Sequence, residues 1–278
     1  MSNVQSPLAD FADPPVTEVA LSVQFDPLTA LRTPQLGLLW QMFRDRFPKI
    51  EEHPPLPPVI EKFGLLGPSK IGVRFETTPA IPRCWFLNET GTELIQVQQD
   101  RFVHNWRKIG QGDEYPRYEH IREMFKAELG TFCQFLAHEQ LGDLAPNQCE
   151  VTYVNQIVSG KDWERHGQLG EVVTMWTNHY SDTFLPEPED VRCAVRYLIP
   201  DSAGNPLGRL LVNVEPAHRV VDGIPILVLQ LTARGKPDGE GIDGVLKFFD
   251  VGRDWVVRGF TSITSPQAHK IWGRRDVY

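Results

Sequence analysis

Along the chain, short runs with strand-like alternation are broken by stretches with the three-to-four spacing of helices. Glu18 to Phe25 (EVALSVQF) reads as a strand closed by Asp26-Pro27. Thr33 offers an N-cap with Pro34 at the first helical position, and Leu36, Leu39, Trp40, Phe43 and Phe47 keep helical spacing until Pro48. A proline-rich loop, Pro54-Pro55-Leu56-Pro57-Pro58, leads to strands predicted near 71–76, 83–88 and 92–106, the last two joined through Asn88-Glu89-Thr90-Gly91. A helix is predicted over 116–139 from Tyr118, Ile121, Phe125, Leu129, Phe132 and Leu136. A second series then begins with a strand from Glu150 to Val158. It continues as a helix over 168–181, strands near 191–199, 207–217 and 225–234, and a helix over 241–262.

Each half therefore reads β-α-β-β-β-α. Glu18-Val19 precedes Leu36-Gly37 by 18 residues, and Glu150-Val151 precedes Leu169-Gly170 by 19, which suggests a tandem repeat. The expectation is an α+β fold with a curved antiparallel sheet and its helices packed on one face. Residues 1–15 form a flexible arm, 16–147 the first repeat, and 148–278 the second repeat with a basic tail. In topology this resembles the TATA-binding-protein-like and helix-grip folds, a likeness that carries no function.

Composition narrows the function classes. Among 278 residues, 28 Lys and Arg face 36 Asp and Glu, a net charge of −8 that argues against nucleic acid as the main partner. The N-terminus lacks a signal-peptide pattern and no apolar run nears the ~18 residues of a membrane span, so a cytoplasmic protein with no membrane partner is expected. Cys84, Cys133, Cys149 and Cys193 form no CxxC pair and read as buried thiols. Thirteen of the 23 prolines fall in residues 1–82, which places the excess in the arm, the first strand–helix unit and its loop.

The motifs give little catalytic chemistry. Gly239-Glu240-Gly241-Ile242-Asp243-Gly244 has the GxGxxG spacing, yet no strand follows its helix and its acidic residues would repel a phosphate. No GxSxG, SxxK or Walker motif occurs, and His120 with Glu123 reads as a solvated helix face. No cofactor and no metal is expected. The segment 96–107 stands out. As one strand it would put Gln96, Gln98, Asp100, Phe102, His104 and Trp106 on one face and Arg101 and Asn105 on the other, with Arg107 at its end. Such polarity fits either a solvent-facing side or the lining of an open groove for a peptide, nucleotide or small polar ligand. Tyr153 and Asn155 could join the same sheet. A second cluster, His269, Lys270, Trp272, Arg274 and Arg275, reads either as helix-end cations with Trp272 on the core or as a local contact for an anionic partner.

Several segments together carry a resemblance. Gln98-Gln99-Asp100-Arg101-Phe102 with Asn105-Trp106-Arg107, Tyr115-Pro116-Arg117-Tyr118, Tyr153-Val154-Asn155 and His269-Lys270-Ile271-Trp272-Gly273-Arg274 are similar to a sporadically distributed bacterial family without an established activity. The resemblance implies a stand-alone cytosolic protein suited to accessory loci such as mobile-element or phage-defence operons, and it lends no catalytic residue. Three function classes follow. The first is a non-catalytic binding module on the open sheet face, with a protein or a second copy as partner. The second is an enzyme on a nucleotide-like substrate with Asp100 and His104 as acid and base. The third is a self-assembling scaffold built through exposed sheet edges.

Overall fold

In the computed structural model, which describes residues 7–64, 81–160, 163–177, 180 and 182–276, the first apolar run becomes a strand with two unlike faces. Val19, Leu21 and Val23 are fully buried on one side, and Ser22 and Gln24 alternate onto the other. In chain order the elements are β1 (Ala9–Phe11), β2 (Val16–Phe25), α1 (Thr33–Phe43), β3 (Lys49–His53), β4 (Arg83–Leu87), β5 (Glu93–Gln98), β6 (Arg101–Arg107) and α2 (Tyr118–His138). There follow β7 (Pro146–Val158), a short α3 (Leu169–Val172), β8 (Cys193–Pro200), β9 (Pro206–His218), β10 (Pro225–Gly235), α4 (Gly241–Ile263), α5 (Pro266–Ile271) and β11 (Arg274–Asp276).

Nine strands form one antiparallel sheet in the order β3-β4-β5-β6-β2-β7-β10-β9-β8. Outward from the central β2–β7 pair, each half runs first strand, last strand, then the strands between in reverse chain order: β2-β6-β5-β4-β3 and β7-β10-β9-β8. The fold is α+β, as the patterning implies. The α2 helix packs on β6 and β2 and α4 on β7, β10 and β9, all on one face. Phe102 of β6 stacks on Phe132 of α2 at 5.3 Å, and Phe125 of α2 meets Phe249 of α4 edge-on at 4.8 Å. Apolar side chains of both halves thereby join a single core cluster. Among the described residues no helix is long and apolar enough to cross a membrane.

Four expectations need correction or placement. The strand over 92–106 is two strands, β5 and β6, linked by a two-residue turn at Gln99-Asp100, with Gln98 paired to Arg101. That turn contains neither Gly nor Pro, and its carbonyls are held by Leu28 N–H and Phe25 N–H. The helix over 168–181 is only α3, because the backbone beyond it bonds to the end of α4 instead: Thr174 N–H donates to Ile263 O at 2.8 Å, and Ser265 N–H to Val172 O at 2.8 Å. The strand near 71–76 lies outside the described residues. Of the expected flexible arm, β1 pairs with β11 and Phe11 is buried. An unforeseen strand, β3, forms one sheet edge with Lys49, Glu51 and Glu52 exposed, the charged dress that discourages edge pairing.

Candidate functional site

Opposite the helices, the sheet presents a polar face whose residues fall into transverse rows. Gln98 of β5 pairs with Arg101 of β6, Arg101 with Gln24 of β2, and Gln24 with Gln148 of β7, so four long polar side chains stand side by side across four strands. Their exposures are 3%, 6%, 4% and 1%. A polar face this buried needs partners, and a segment of the same chain supplies them.

Residues 54–63 lie across this face as a strap. Leu56 N–H donates to Gln98 Oε1 at 2.9 Å, and Gln98 Nε2 donates back to Leu56 O at 2.9 Å. Arg101 Nη2 donates to Pro57 O at 3.2 Å, Val59 N–H to Gln24 Oε1 at 2.8 Å, and Glu61 N–H to Gln148 Oε1 at 2.9 Å. The contacts advance along the strap in the same order as the strands cross the sheet. Three strand spacings between β5 and β7 come to about 14 Å, and the five residue steps from Leu56 to Glu61 span about 16 Å in polyproline-like backbone. Pro54, Pro55, Pro57 and Pro58 have no N–H to satisfy. Of the remaining donors, those of Leu56, Val59 and Glu61 each meet a glutamine. Beyond Glu61 the recognition becomes ionic: its carboxylate meets Arg209 of β9 and Arg234 of β10, and Arg209 Nη2 donates to Lys62 O at 2.7 Å.

Beside the strap, a second polar chain runs over β4, β5, β6 and β2. Arg83 Nη1 donates to Gln96 Oε1 at 2.9 Å, Gln96 Nε2 to Asn105 Oδ1 at 2.7 Å, and Asn105 Nδ2 to Glu18 Oε1 at 2.6 Å. Trp85 lies among Arg83, Arg107 and the His53 ring, whose centroid is 4.0 Å from its own. No protein-family model and no curated protein matches this chain. The roles argued for these side chains therefore rest on their own geometry.

The predicted site residues divide between the two faces. Gln96, Gln98, Arg101, Asn105 and Arg107 share the polar face, and Asp100 sits in the β5–β6 turn, accepting from Gln98 Nε2. His104 and Trp106 point to the helices, which corrects their expected place beside Gln96 and Gln98. The turn is the reason: two residues out of the strand reverse the alternation for everything after them. His104 Nδ1 lies 2.7 Å from Glu128 Oε2, both deeply buried, so Asp100 and His104 do not converge on one pocket. Tyr153 and Asn155 also face the helices, lining a cavity of about 530 Å³ with Tyr115, Arg253 and Phe260. The Tyr115 and Tyr153 hydroxyls are 2.9 Å apart, and burial pushes the Tyr153 phenol up to about 12.

The C-terminal cluster is likewise split. His269 and Trp272 are buried beneath Phe11, whose ring is 5.6 Å and 6.2 Å from theirs. Trp272 therefore packs on the core, the first of its two expected readings, and neither ring is presented to an anionic partner. His269 Nε2 lies 2.7 Å from Thr264 Oγ1, while Lys270, Arg274 and Arg275 remain exposed. Sequence reasoning missed Gln24, Gln148, Arg209, Arg234 and Glu61. The available signals were a glutamine inside the apolar run VALSVQF and a proline pattern that spares a few backbone donors.

Proposed function

We propose that the protein is a binding module for polypeptide in extended conformation, taken across the open face of the sheet by Gln98, Arg101, Gln24 and Gln148. The observation that carries this reading is the strap itself, whose main chain is bonded to that row in strand order. Recognition is mostly of backbone, with side-chain selection limited to the carboxylate of Glu61 between Arg209 and Arg234. The partner it suits is a proline-containing segment with an acidic residue at the position Glu61 fills. In this reading residues 54–63 occupy the groove in cis, and a partner takes their place.

The test uses a chain in which residues 54–63 are replaced by a Gly/Ser segment of equal length. Fluorescence anisotropy of a labelled peptide with the sequence of residues 53–63 is expected to show saturable binding to this protein and little to the parent. Adding Gln98→Ala should weaken binding about tenfold, the loss of two hydrogen bonds. A folded replacement protein that leaves the peptide unbound into the millimolar range overturns the reading.

A further inference from the structure

The row of cross-strand neighbours continues beyond the strap. Cys84 of β4 pairs with Val97 of β5, which sets Arg83 one strand outside Gln98, on the same face as Arg101. Among the described residues, other shielded arginines meet carboxylates: Arg209 meets Glu61, and Arg234 meets Glu150. Arg101, only 6% exposed, has none within ion-pair distance, and neither has Arg83. Their hydrogen bonds go to neutral acceptors, Gln24 Oε1 and Pro57 O for Arg101 and Gln96 Oε1 for Arg83. Asp100, next in sequence, is engaged with Gln98 instead. Burial and, secondarily, the neighbouring Arg101 charge hold the Arg83 guanidinium below its ordinary value.

Of six buried side-chain polar atoms without a partner among the described residues, four are on this face: Arg83 Nε, Arg101 Nε, Trp85 Nε1 and Gln148 Nε2. All four are donors. Two neighbouring like charges without a counter-ion, Arg101 deeply buried and Arg83 partly so, are costly, and unpaired donors call for a group rich in acceptor oxygens. A carboxylate or a phosphate meets both conditions and fits the guanidinium fork.

We infer that Arg83 and Arg101, with the Trp85 indole N–H beside them, form a receptor site for an oxyanion on the open face next to the strap. The site does not depend on displacement of the strap, so it stands or falls separately from the peptide reading. The test is an NMR titration of the arginine Nε–H signals in the full chain at constant pH and ionic strength. Sodium phosphate is used in one arm and sodium acetate in the other, with sodium chloride as the reference. The Arg83 and Arg101 signals, assigned by their loss in Arg83→Gln and Arg101→Gln, are expected to move together with one half-saturation point. A response to phosphate alone assigns a phosphate group; a response to acetate assigns a carboxylate. Either single variant should weaken the effect on the remaining signal about tenfold or more, the loss of a charge-assisted hydrogen bond. If neither ion moves the two signals beyond chloride, or if exposed Arg192 responds equally, the inference fails. The parent titration decides this even if one variant does not fold.

Discussion

His104 and Glu128 illustrate how much can hang on one side chain. They are 1% and 3% exposed, and Glu128 also accepts from Arg46 Nη1 at 2.7 Å, whose other nitrogen reaches Glu93 at 2.8 Å. Glu128→Ala strands His104 in the core without its partner and should cost about 3–5 kcal/mol in urea unfolding. Arg46→Ala, at the half-exposed end of the same network, should cost distinctly less. Glu18 behaves in the opposite sense. Burial raises its carboxyl above the usual range, opposed by the Asn105 hydrogen bond and the Arg107 charge. The folded state therefore binds its proton more tightly than the unfolded chain, and stability falls as pH rises through that raised value. Glu18→Gln keeps an acceptor for Asn105 and should be more stable than the parent at pH 7. The advantage should disappear below about pH 4, as read by denaturation at a series of pH values. The polarity of segment 96–107 was legible residue by residue. Its sidedness was not, because Gln99-Asp100 turns the chain with neither Gly nor Pro, and a single Asp inside a strand-like run is a weak turn signal.

Among the elements, α2 and α4 were readable because each repeats its apolar spacing over five turns or more. The predicted helix at 168–181 failed because its period is brief and the end of α4 offers its backbone better partners. The strap was readable only as a proline-rich loop. Its docking depends on residues more than thirty positions away, which local patterning does not register. Tryptic cleavage after Lys62 requires the strap to lift from Arg209. Gln24→Ala or Gln98→Ala should speed that cleavage roughly five- to tenfold, in keeping with the loss of one or two hydrogen bonds. Unchanged cleavage would mean that these amides do not hold the segment down. Close strand packing gives another element-scale test. Gly235 of β10 faces Gly208 of β9, and a Cβ on Gly235 would lie 2.4 Å from Phe248 Cε2 and 2.5 Å from Leu207 O. Gly235→Ala should destabilise by about 1–3 kcal/mol in thermal or urea unfolding.

For the whole molecule, the β2–β7 seam and the shared core tie the halves together, and the β1–β11 pair clasps the segments near both ends of the chain. Phe11 is the pin of that clasp, 5.5 Å from Phe260 and against Trp272. Phe11→Ala should cost about 3 kcal/mol or more. Circular dichroism and tryptophan fluorescence should still report one coincident transition; two separated transitions would show the halves unfolding independently. The order of elements was legible because it follows from local alternation and period. The clasp was not, because the pairing of residues 9–11 with 274–276 is set by the closed fold. The strap carries a last consequence at this scale. A tethered segment competes at an effective concentration near the millimolar range for a short flexible connection. A partner that merely copied its contacts would lose to it at ordinary cellular levels. A successful competitor must bring a contact that the strap does not make, and an acidic group placed between Arg83 and Arg101 is such a contact.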